Sequence, residues 1–153
     1  MHITLESDYA VRIVACLASE NKRIDAKTIS QKNNVSVSGE KRRFYVDAKT
    51  ISEKTDVPLR FALKILRKLV ESGIVKSYKG TQGGYELAKS PAEISLCDVI
   101  ETVEGTYHFS RCLEDGYECS CGRSGDCCHQ KAFGQITEIV KKELKARTFD
   151  KLV

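Results

Sequence analysis

The chain has 153 residues, of which 41% are apolar and 30% are charged. This length fits one domain, or a small domain with an appendage, and the composition is that of a soluble protein. No stretch approaches the ~20 consecutive apolar residues of a membrane-spanning helix. The N-terminus, MHITLESDYA, has no basic segment followed by an apolar run. We therefore expect no signal peptide and a cytoplasmic location.

The net charge of +4 is unevenly distributed along the chain. Residues 1–88 carry 16 Lys/Arg against 10 Asp/Glu, a charge of +6, whereas residues 89–153 carry 9 against 11, a charge of −2. This contrast predicts two parts, of which the first binds a polyanion. Ordinary surface charge is the alternative explanation of so small an excess.

The sequence of the first part, residues 1–88, predicts three helices. LESDYAVRIVACLASE has a helical apolar face made of Ala10, Ile13, Val14 and Leu17. AKTISEKT forms a short helix capped by Asp47, and after the turn TDV a longer helix begins at Pro58 and ends at Gly73. The apolar stripe of the longer helix contains Leu59, Ala62, Leu63, Leu66 and Leu69 or Val70, and its basic face contains Arg60, Lys64, Arg67 and Lys68.

A short helix, a tight turn and a longer helix with a basic face are typical of a helix-turn-helix. GIVKSYKGTQGGYELAK then predicts strands at Val75–Tyr78 and Tyr85–Leu87, joined by a turn that carries Lys79, Thr81 and Gln82. A hairpin in this place is a wing that can enter a minor groove, and a hairpin that only closes the core is compatible with this interpretation. The combination predicts DNA binding.

One segment of the first part is duplicated. DAKTIS occurs at Asp25–Ser30 and again at Asp47–Ser52. The second copy precedes the helix-turn-helix, so we interpret it as the functional one. The first copy is assigned to an inserted segment, around residues 25–46, that we expect to loop out between helices.

The second part predicts a short helix in SPAEISLCDVIETVEG and a long amphipathic helix in AFGQITEIVKKELKARTF. The apolar face of the long helix contains Phe133, Ile136, Ile139, Val140 and Leu144. A long helix at the end of a small DNA-binding chain usually pairs with its copy, and packing on its own domain is the alternative. The predicted fold is mainly α with a small β-hairpin wing: a winged helix-turn-helix over residues 1–88, and a cysteine-loop and dimerisation region over residues 89–153.

Five of the seven cysteines lie within Cys112–Cys128. In a reducing cytosol, such a group binds metal more often than it forms disulfides. The spacing is Cys112-x6-Cys119-x1-Cys121-x5-Cys127, with Cys128 adjacent, and it lacks the C-x2-C pair of a typical zinc site. It favours an iron–sulfur cluster first, zinc second and unligated redox-active thiols third. Cys16 and Cys97 fall inside predicted helices and are assigned to the core.

No enzyme is predicted. A cysteine nucleophile needs an activating base, and the three histidines, His2, His108 and His129, form no recognisable pairing motif with a cysteine.

The order of these elements, together with the stretches GGYxLA and ISLxDVIExxEG, resembles the winged-helix regulators that include IscR, NsrR, RirA and CymR. The resemblance spans nearly the whole chain apart from the duplicated segment. It implies a homodimeric bacterial transcription factor. Members with three loop cysteines hold a 2Fe–2S or 4Fe–4S cluster whose state sets promoter affinity, whereas CymR-like members lack those cysteines.

The resemblance therefore implies a sensor of iron–sulfur status, redox or nitric oxide. It assigns Cys112 as the first ligand and Cys127 as the third, while Cys119 and Cys121 both remain candidates for the second. Several residues remain candidates for the fourth ligand, since Gln130 stands where IscR-like members have a histidine: Asp8, His108, His129 and Cys128. A cluster-free repressor with a zinc-stabilised or thiol-redox loop is the alternative.

For DNA, the resemblance implies that Arg60 and Lys64 face the groove and that Arg67 and Lys68 hold phosphate. Lys79 and Gln82 would lie at the wing tip. Leu63 occupies a position where IscR carries a base-reading acid, so we do not expect the same operator preference.

Overall fold

The computed structural model describes residues 3–31, 45–80, 83–120, 122 and 127–153, with the backbone alone over residues 22–31. The helices are α1 (Leu5–Gln31), α2 (Ala48–Thr55), α3 (Leu59–Glu71), α4 (Leu96–Glu104), α5 (Cys128–Ala146) and α6 (Phe149–Leu152). The strands are β1 (Val75–Tyr78) and β2 (Gly84–Leu87), and short 3₁₀ turns lie at Pro91–Glu93 and Arg111–Leu113. The predicted class, mainly α with a hairpin wing, is confirmed. Within the described residues, every helix is too short or too polar to span a bilayer.

Helix α1 forms for the reason that the sequence predicts. Its apolar positions are buried in the core: Ala10, Ile13, Val14 and Leu17. The helix then continues to Gln31, so residues 25–31 are helical and the expectation that the inserted segment loops out is wrong for them. No Gly or Pro separates them from α1, and nothing in their sequence ends a helix. The segment's residues 32–44 lie outside the described part of the chain.

The helix-turn-helix is held by local caps. The Asp47 carboxylate accepts hydrogen bonds from the backbone N–H groups of Lys49 and Thr50, both at 3.0 Å, and this begins α2 as predicted. Asp56 adopts a left-handed conformation, with φ of 53°, and ends α2. Pro58 follows at the N-cap of α3, one position before the first helical residue.

The predicted wing is confirmed, with its second strand beginning at Gly84. β1 and β2 are antiparallel, with Val75 opposite Leu87. Val46 adds a bridge to the hairpin: its N–H donates to the Tyr85 carbonyl at 3.0 Å and its carbonyl accepts from the Tyr85 N–H at 2.9 Å. Gly84 is required here because a Cβ would lie 2.8 Å from the Val46 carbonyl oxygen.

The core joins α1, α2, α3, α4, the hairpin and α6. The return of the chain through α6 is not predicted by the sequence. Phe149, only 1% exposed, enters the core, and its N–H donates to the Ile94 carbonyl at 3.0 Å. The Leu96 N–H donates to the Arg147 carbonyl at 2.9 Å. These bonds fix the end of α5 against the start of α4.

Candidate nucleic-acid interface and cysteine loop

The basic face of α3 lies on the surface. Arg60, Lys64 and Arg67 are all exposed. The opposite face is buried and consists of Ala62, Ile65, Leu66 and Leu69. The structure therefore presents three of the predicted DNA-binding cations on the side of α3 that faces away from the core.

The apolar stripe of α3 differs from the prediction. Ile65 is buried, although the predicted stripe does not include it, whereas Leu59 and Leu63 are 43% and 44% exposed. The helix face that meets the core is thus rotated from the predicted stripe toward Ile65 by the packing of α3 on α1, α2 and α4. As a result, two leucines stand beside the basic face, in contact with solvent.

Glu6 of α1 connects two of the predicted DNA-binding lysines. Its carboxylate lies 3.3 Å from Lys64 Nζ and 2.8 Å from Lys68 Nζ. Lys68 Nζ also donates to the Val103 carbonyl oxygen at 2.9 Å. The ion pair with Lys68 lowers the pKa of the Glu6 carboxyl, while burial acts in the opposite direction. Lys68 therefore has two partners within the chain, and Lys64 retains the more exposed ammonium group.

The wing supplies one further cation among the predicted DNA-binding residues. Lys79 is exposed directly after β1. Gln82, predicted at the wing tip, lies outside the described residues, as does Thr81. At the base of the hairpin, the rings of Tyr45 and Tyr78 stack at a centroid distance of 4.0 Å.

The loop cysteines flank the start of α5. Cys112 lies in the 3₁₀ turn, Cys127 is the N-cap of α5 and Cys128 is its first residue. Cys112, Cys119 and Cys127 are half-buried and Cys128 is exposed, while Cys121 lies outside the described residues. In the described part of the chain, no three side chains of Cys, His, Asp or Glu converge as a metal site.

Gln130 holds the loop to α5. Its Nε2 donates to the Cys112 carbonyl oxygen at 2.7 Å. Phe109 adds a second attachment: its N–H donates to Thr137 Oγ1 at 3.1 Å and its ring lies 5.4 Å from the Phe133 ring. Cys112 is thus kept near the helix end that carries Cys127. A soft thiolate donor set on this side of the chain fits an iron–sulfur cluster or zinc, and a helix N-terminus favours the negative charge of such a group.

The candidate fourth ligands lie in different surroundings. Asp8 forms an ion pair with Arg12 at 2.7 Å on the surface of α1. His129 is exposed in the first turn of α5, and His108 is half-buried before the loop. Gln130 stands at the position of the family's histidine and binds the backbone of Cys112 in this chain. The fourth ligand stays a prediction.

The two remaining cysteines have surroundings unlike those of the loop. Cys97 is 1% exposed, which confirms its assignment to the core, and Cys16 is half-buried. Burial raises the pKa of both thiols, so they are protonated at neutral pH. Both therefore serve as controls for experiments on the loop thiols.

Helix α4 contacts α3 on one side, and α5 and the segment before the cysteine loop on the other. The Glu101 carboxylate contacts Lys141 Nζ of α5 at 2.8 Å and accepts from the Tyr107 N–H at 3.1 Å. Burial acts to raise the pKa of Glu101, but these two contacts together outweigh burial. The net pKa is below the ordinary value, so the carboxyl is ionised at neutral pH. Two residues further along α4, the Val103 carbonyl accepts a hydrogen bond from the Lys68 ammonium. Neither Glu101 nor Lys141 was predicted as a functional residue, because no local motif marks their pairing.

Helix α5 is only partly buried in this chain. Thr137 is its only buried residue, and α5 lies entirely within the described part of the chain. Ile136 and Ile139 are 36% and 64% exposed, and the rest of the predicted apolar face is half-buried. The predicted alternative is that α5 packs on its own domain. In the structure, α5 packs on the rest of the chain only along the side that carries Thr137.

Comparison with known proteins identifies relatives of this arrangement. A family model, Rrf2, described as an iron-dependent transcriptional regulator, matches residues 38–153. An HTH-type transcriptional regulator described as rrf2-like, from Rhodobacter capsulatus, is 31% identical over 137 residues, which are 90% of this chain and 77% of the relative. Protein aau3 of Rhizobium meliloti is 27% identical over 154 residues, covering 100% of this chain and 85% of that protein.

Solved structures share the fold. CymR (YrzC), the global cysteine regulator of B. subtilis, superposes with a TM-score of 0.67 at 24% identity, covering 99% of this chain and 95% of that one. IscR of T. potens superposes with a TM-score of 0.67 at 20% identity, covering 99% and 85%. At these identities, the superpositions establish the winged-helix architecture.

Proposed function

The chain belongs to the Rrf2 family of DNA-binding transcriptional regulators, and from this premise we propose that it is a bacterial, cytoplasmic homodimer whose operator affinity is set by an iron–sulfur cluster on the Cys112–Cys128 loop. Its relatives are regulators, so the expectation that it is not an enzyme is confirmed. What the cluster reports, whether iron–sulfur status, redox or nitric oxide, is part of this proposal. The contact path through α4, from α5 and the segment before the loop to α3, supports it most directly.

On the DNA side, we assign base reading to Arg60 and Lys64. Both are exposed on the first two turns of α3, the part of a recognition helix that meets base edges in the major groove. Arg and Lys there can donate to guanine O6 and N7. Arg67, one turn further on, and Lys79 on the wing are assigned to phosphate, as is Gln82. Lys68 can reach phosphate only in competition with Glu6 and the Val103 carbonyl.

On the assembly side, we propose that α5 pairs with α5 of a second copy. The 19-residue helix leaves part of its apolar side exposed in the protomer, at Ile136 and Ile139. A two-fold pair would bury that side and place two α3 helices on adjacent half-sites of a palindrome.

For the cofactor, Cys112, Cys127 and either Cys119 or Cys121 would hold the cluster. Their thiolates would supply soft sulfur ligation, and the cluster, when bound, supplies the redox or iron-dependent chemistry. Gln130 keeps the backbone of Cys112 near α5, so the chain itself brings the first and third ligands to one end of that helix.

The path through α4 supports coupling between the loop and DNA. Tyr107 and Lys141 contact Glu101, and the same helix ends at Val103, whose carbonyl holds Lys68 of α3. A change in the loop that moves α5 or the segment before Cys112 would therefore act on the helix that contacts the recognition helix. A coupling free energy of ~1–3 kcal/mol would change operator affinity about 5–150-fold.

The proposal is tested first by the composition of the protein. Purified and reconstituted without oxygen, the native chain should contain iron and acid-labile sulfide and absorb visible light. Cys112→Ser and Cys127→Ser should each lose most of the iron, whereas Cys16→Ser should retain it. Separate Cys119→Ser and Cys121→Ser variants identify the second ligand. Zinc without sulfide, or colourless protein with free loop thiols, would contradict the cluster and favour the cluster-free alternative.

A further inference from the structure

We infer that Leu63, together with Leu59, reads the 5-methyl groups of thymine in the major groove, and so sets operator preference beside the basic residues of α3. This inference rests on DNA binding by α3. It adds an apolar readout to the hydrogen bonding assigned to Arg60 and Lys64.

Helix α3 has two exposed leucines that its buried face does not include. Four apolar residues of α3 are buried: Ala62, Ile65, Leu66 and Leu69. Leu59 and Leu63 are not part of that set, since 43% and 44% of their surface stays exposed. Nearby, Phe61 has a partner of its own, the Tyr9 ring at a centroid distance of 6.2 Å. The core therefore does not account for the exposed surface of the two leucines.

The two leucines lie next to the basic residues around the axis of α3. At 100° per residue, Leu63 lies about 60° from Arg60 and about 40° from Arg67 around the axis. It is therefore part of the surface that the basic residues present to DNA. Leu59 lies one turn earlier, about 6 Å away along the axis, which corresponds to about two base pairs.

The chemistry of the groove identifies the occupant. The major-groove edge of each base pair presents hydrogen-bonding groups, and only thymine adds a methyl group. An exposed leucine beside these cations cannot form a hydrogen bond with phosphate or with a base edge, but it can bury a methyl group. A charged or polar patch of protein would leave the leucine without a matching surface, so thymine fits this position best.

The test removes only the methyl group. Operator duplexes are first selected from a random-sequence duplex pool with the full chain, and each thymine is then replaced singly by uracil. The dissociation constant of each duplex is measured at one salt concentration. We expect uracil at one or two positions of each half-site to weaken binding by about fourfold, the value of one buried methyl-sized group.

Two variants assign the effect to a residue. At the thymine position that Leu63 contacts, Leu63→Ala should bind the thymine and uracil duplexes with equal affinity. Leu59→Ala should lose the same discrimination at the second thymine position, about two base pairs away. Leu152→Ala changes a leucine of similar exposure on α6 and should keep the fourfold ratio. Sedimentation of Leu63→Ala should match that of the native chain.

Three results would overturn the inference. The selected half-sites could lack thymine, uracil could have no effect at any position, or its effect could persist in Leu63→Ala. A changed sedimentation coefficient of Leu63→Ala would instead assign the leucine to a protein contact. In each of these cases, salt-dependent binding of the selected duplex would show that DNA binding itself stands. Failure to select any duplex would overturn both proposals.

Discussion

Lys68 of the recognition helix donates a hydrogen bond from Nζ to the main-chain carbonyl oxygen of Val103 at the end of α4, over 2.9 Å. The same ammonium lies 2.8 Å from the Glu6 carboxylate. A cation that the sequence assigns to phosphate is thus also a connection between three helices. Lys64, four residues earlier, shares Glu6 but has no bond to α4 in the described structure. The two lysines form a matched pair for mutation.

Lys68→Met should lower the free energy of unfolding by about 1 kcal/mol, because the Val103 carbonyl loses its donor and Glu6 loses its nearer cation. Lys64→Met, at a side chain that is 59% exposed, should change it by less than about 0.5 kcal/mol. Urea unfolding at pH 7 measures both values. For DNA, Lys64→Met should weaken binding and reduce the salt slope by about one, and Lys68→Met should have the smaller effect. Equal losses of stability would show that the bond to Val103 has no structural role.

Glu6 should make stability depend on pH. Its ion pair with Lys68 holds the carboxyl pKa below the ordinary value of 4.5, so the unfolded chain binds this proton more readily than the folded one. The stabilisation is complete above pH 4.5 and is lost as pH falls through the lowered pKa. Glu6→Gln should therefore reduce the urea midpoint at pH 7, and the difference from the native chain should shrink as the pH falls below 4.5.

A second carboxylate controls for general effects of acid on this measurement. Glu53→Gln removes a group whose nearest cation, Lys49, lies 4.0 Å away with both side chains well exposed. We expect the Glu53→Gln midpoint to follow that of the native chain at every pH. An unchanged difference between Glu6→Gln and the native chain from pH 7 to pH 3 would contradict the linkage.

Ile139 tests the proposed dimer. It is 64% exposed in the protomer, and a charge placed there would be buried without a partner if two α5 helices pair. Ile139→Glu should weaken self-association at least tenfold, measured by sedimentation equilibrium, and leave the helix content unchanged. Leu152→Glu makes the same kind of change at an exposed apolar residue outside α5 and should remain dimeric. A dimer of native strength in Ile139→Glu would remove this face of α5 from the interface.

The duplicated segment should be dispensable for folding. Deletion of residues 25–46 joins Ile24 to Asp47, so α2 keeps its cap and an apolar residue takes the place of Val46 beside Tyr85. The deletion variant loses the stack of Tyr45 on Tyr78, and we expect its thermal midpoint to fall by only a few degrees. Deletion of residues 58–79, of equal length, removes α3 with its buried residues and should abolish folding. Loss of cooperative unfolding in the first variant would contradict the interpretation of residues 25–46 as an insertion.

The elements of the fold could be predicted because their causes are local. The Asp47 cap, the Gly105 end of α4 and the hairpin at Val75–Tyr78 each follow from a few neighbouring residues. The limits of this reasoning are also physical. DAKTIS lies in a helix or at its cap in both places, but tertiary contacts such as the burial of Ile51 and the bridge of Val46 to Tyr85 position the second copy against the recognition helix.

The site could be predicted only in part. The spacing of the thiols marks the loop, and helical periodicity brings Arg60, Lys64 and Arg67 to one face of α3. The partners of these groups come from distant sequence, as with Glu6 and Lys64, or Glu101 and Lys141. Nothing in the spacing of charges reveals such pairs. The exposure of Leu63 likewise depends on how α3 packs on its neighbours. Helical periodicity alone predicts that Leu63 belongs to the apolar stripe, whereas the packing buries Ile65 and leaves Leu63 exposed.

The most direct test of the account is the operator affinity of the cluster-loaded and cluster-free protein. Both forms are prepared from one anaerobic batch and titrated with the selected duplex at a single salt concentration, because salt alone changes such affinities strongly. The account predicts dissociation constants that differ by about 5–150-fold, and a smaller ratio when Glu101→Gln weakens the contacts of α4 with the loop and α5. Equal dissociation constants for the two native forms would contradict it.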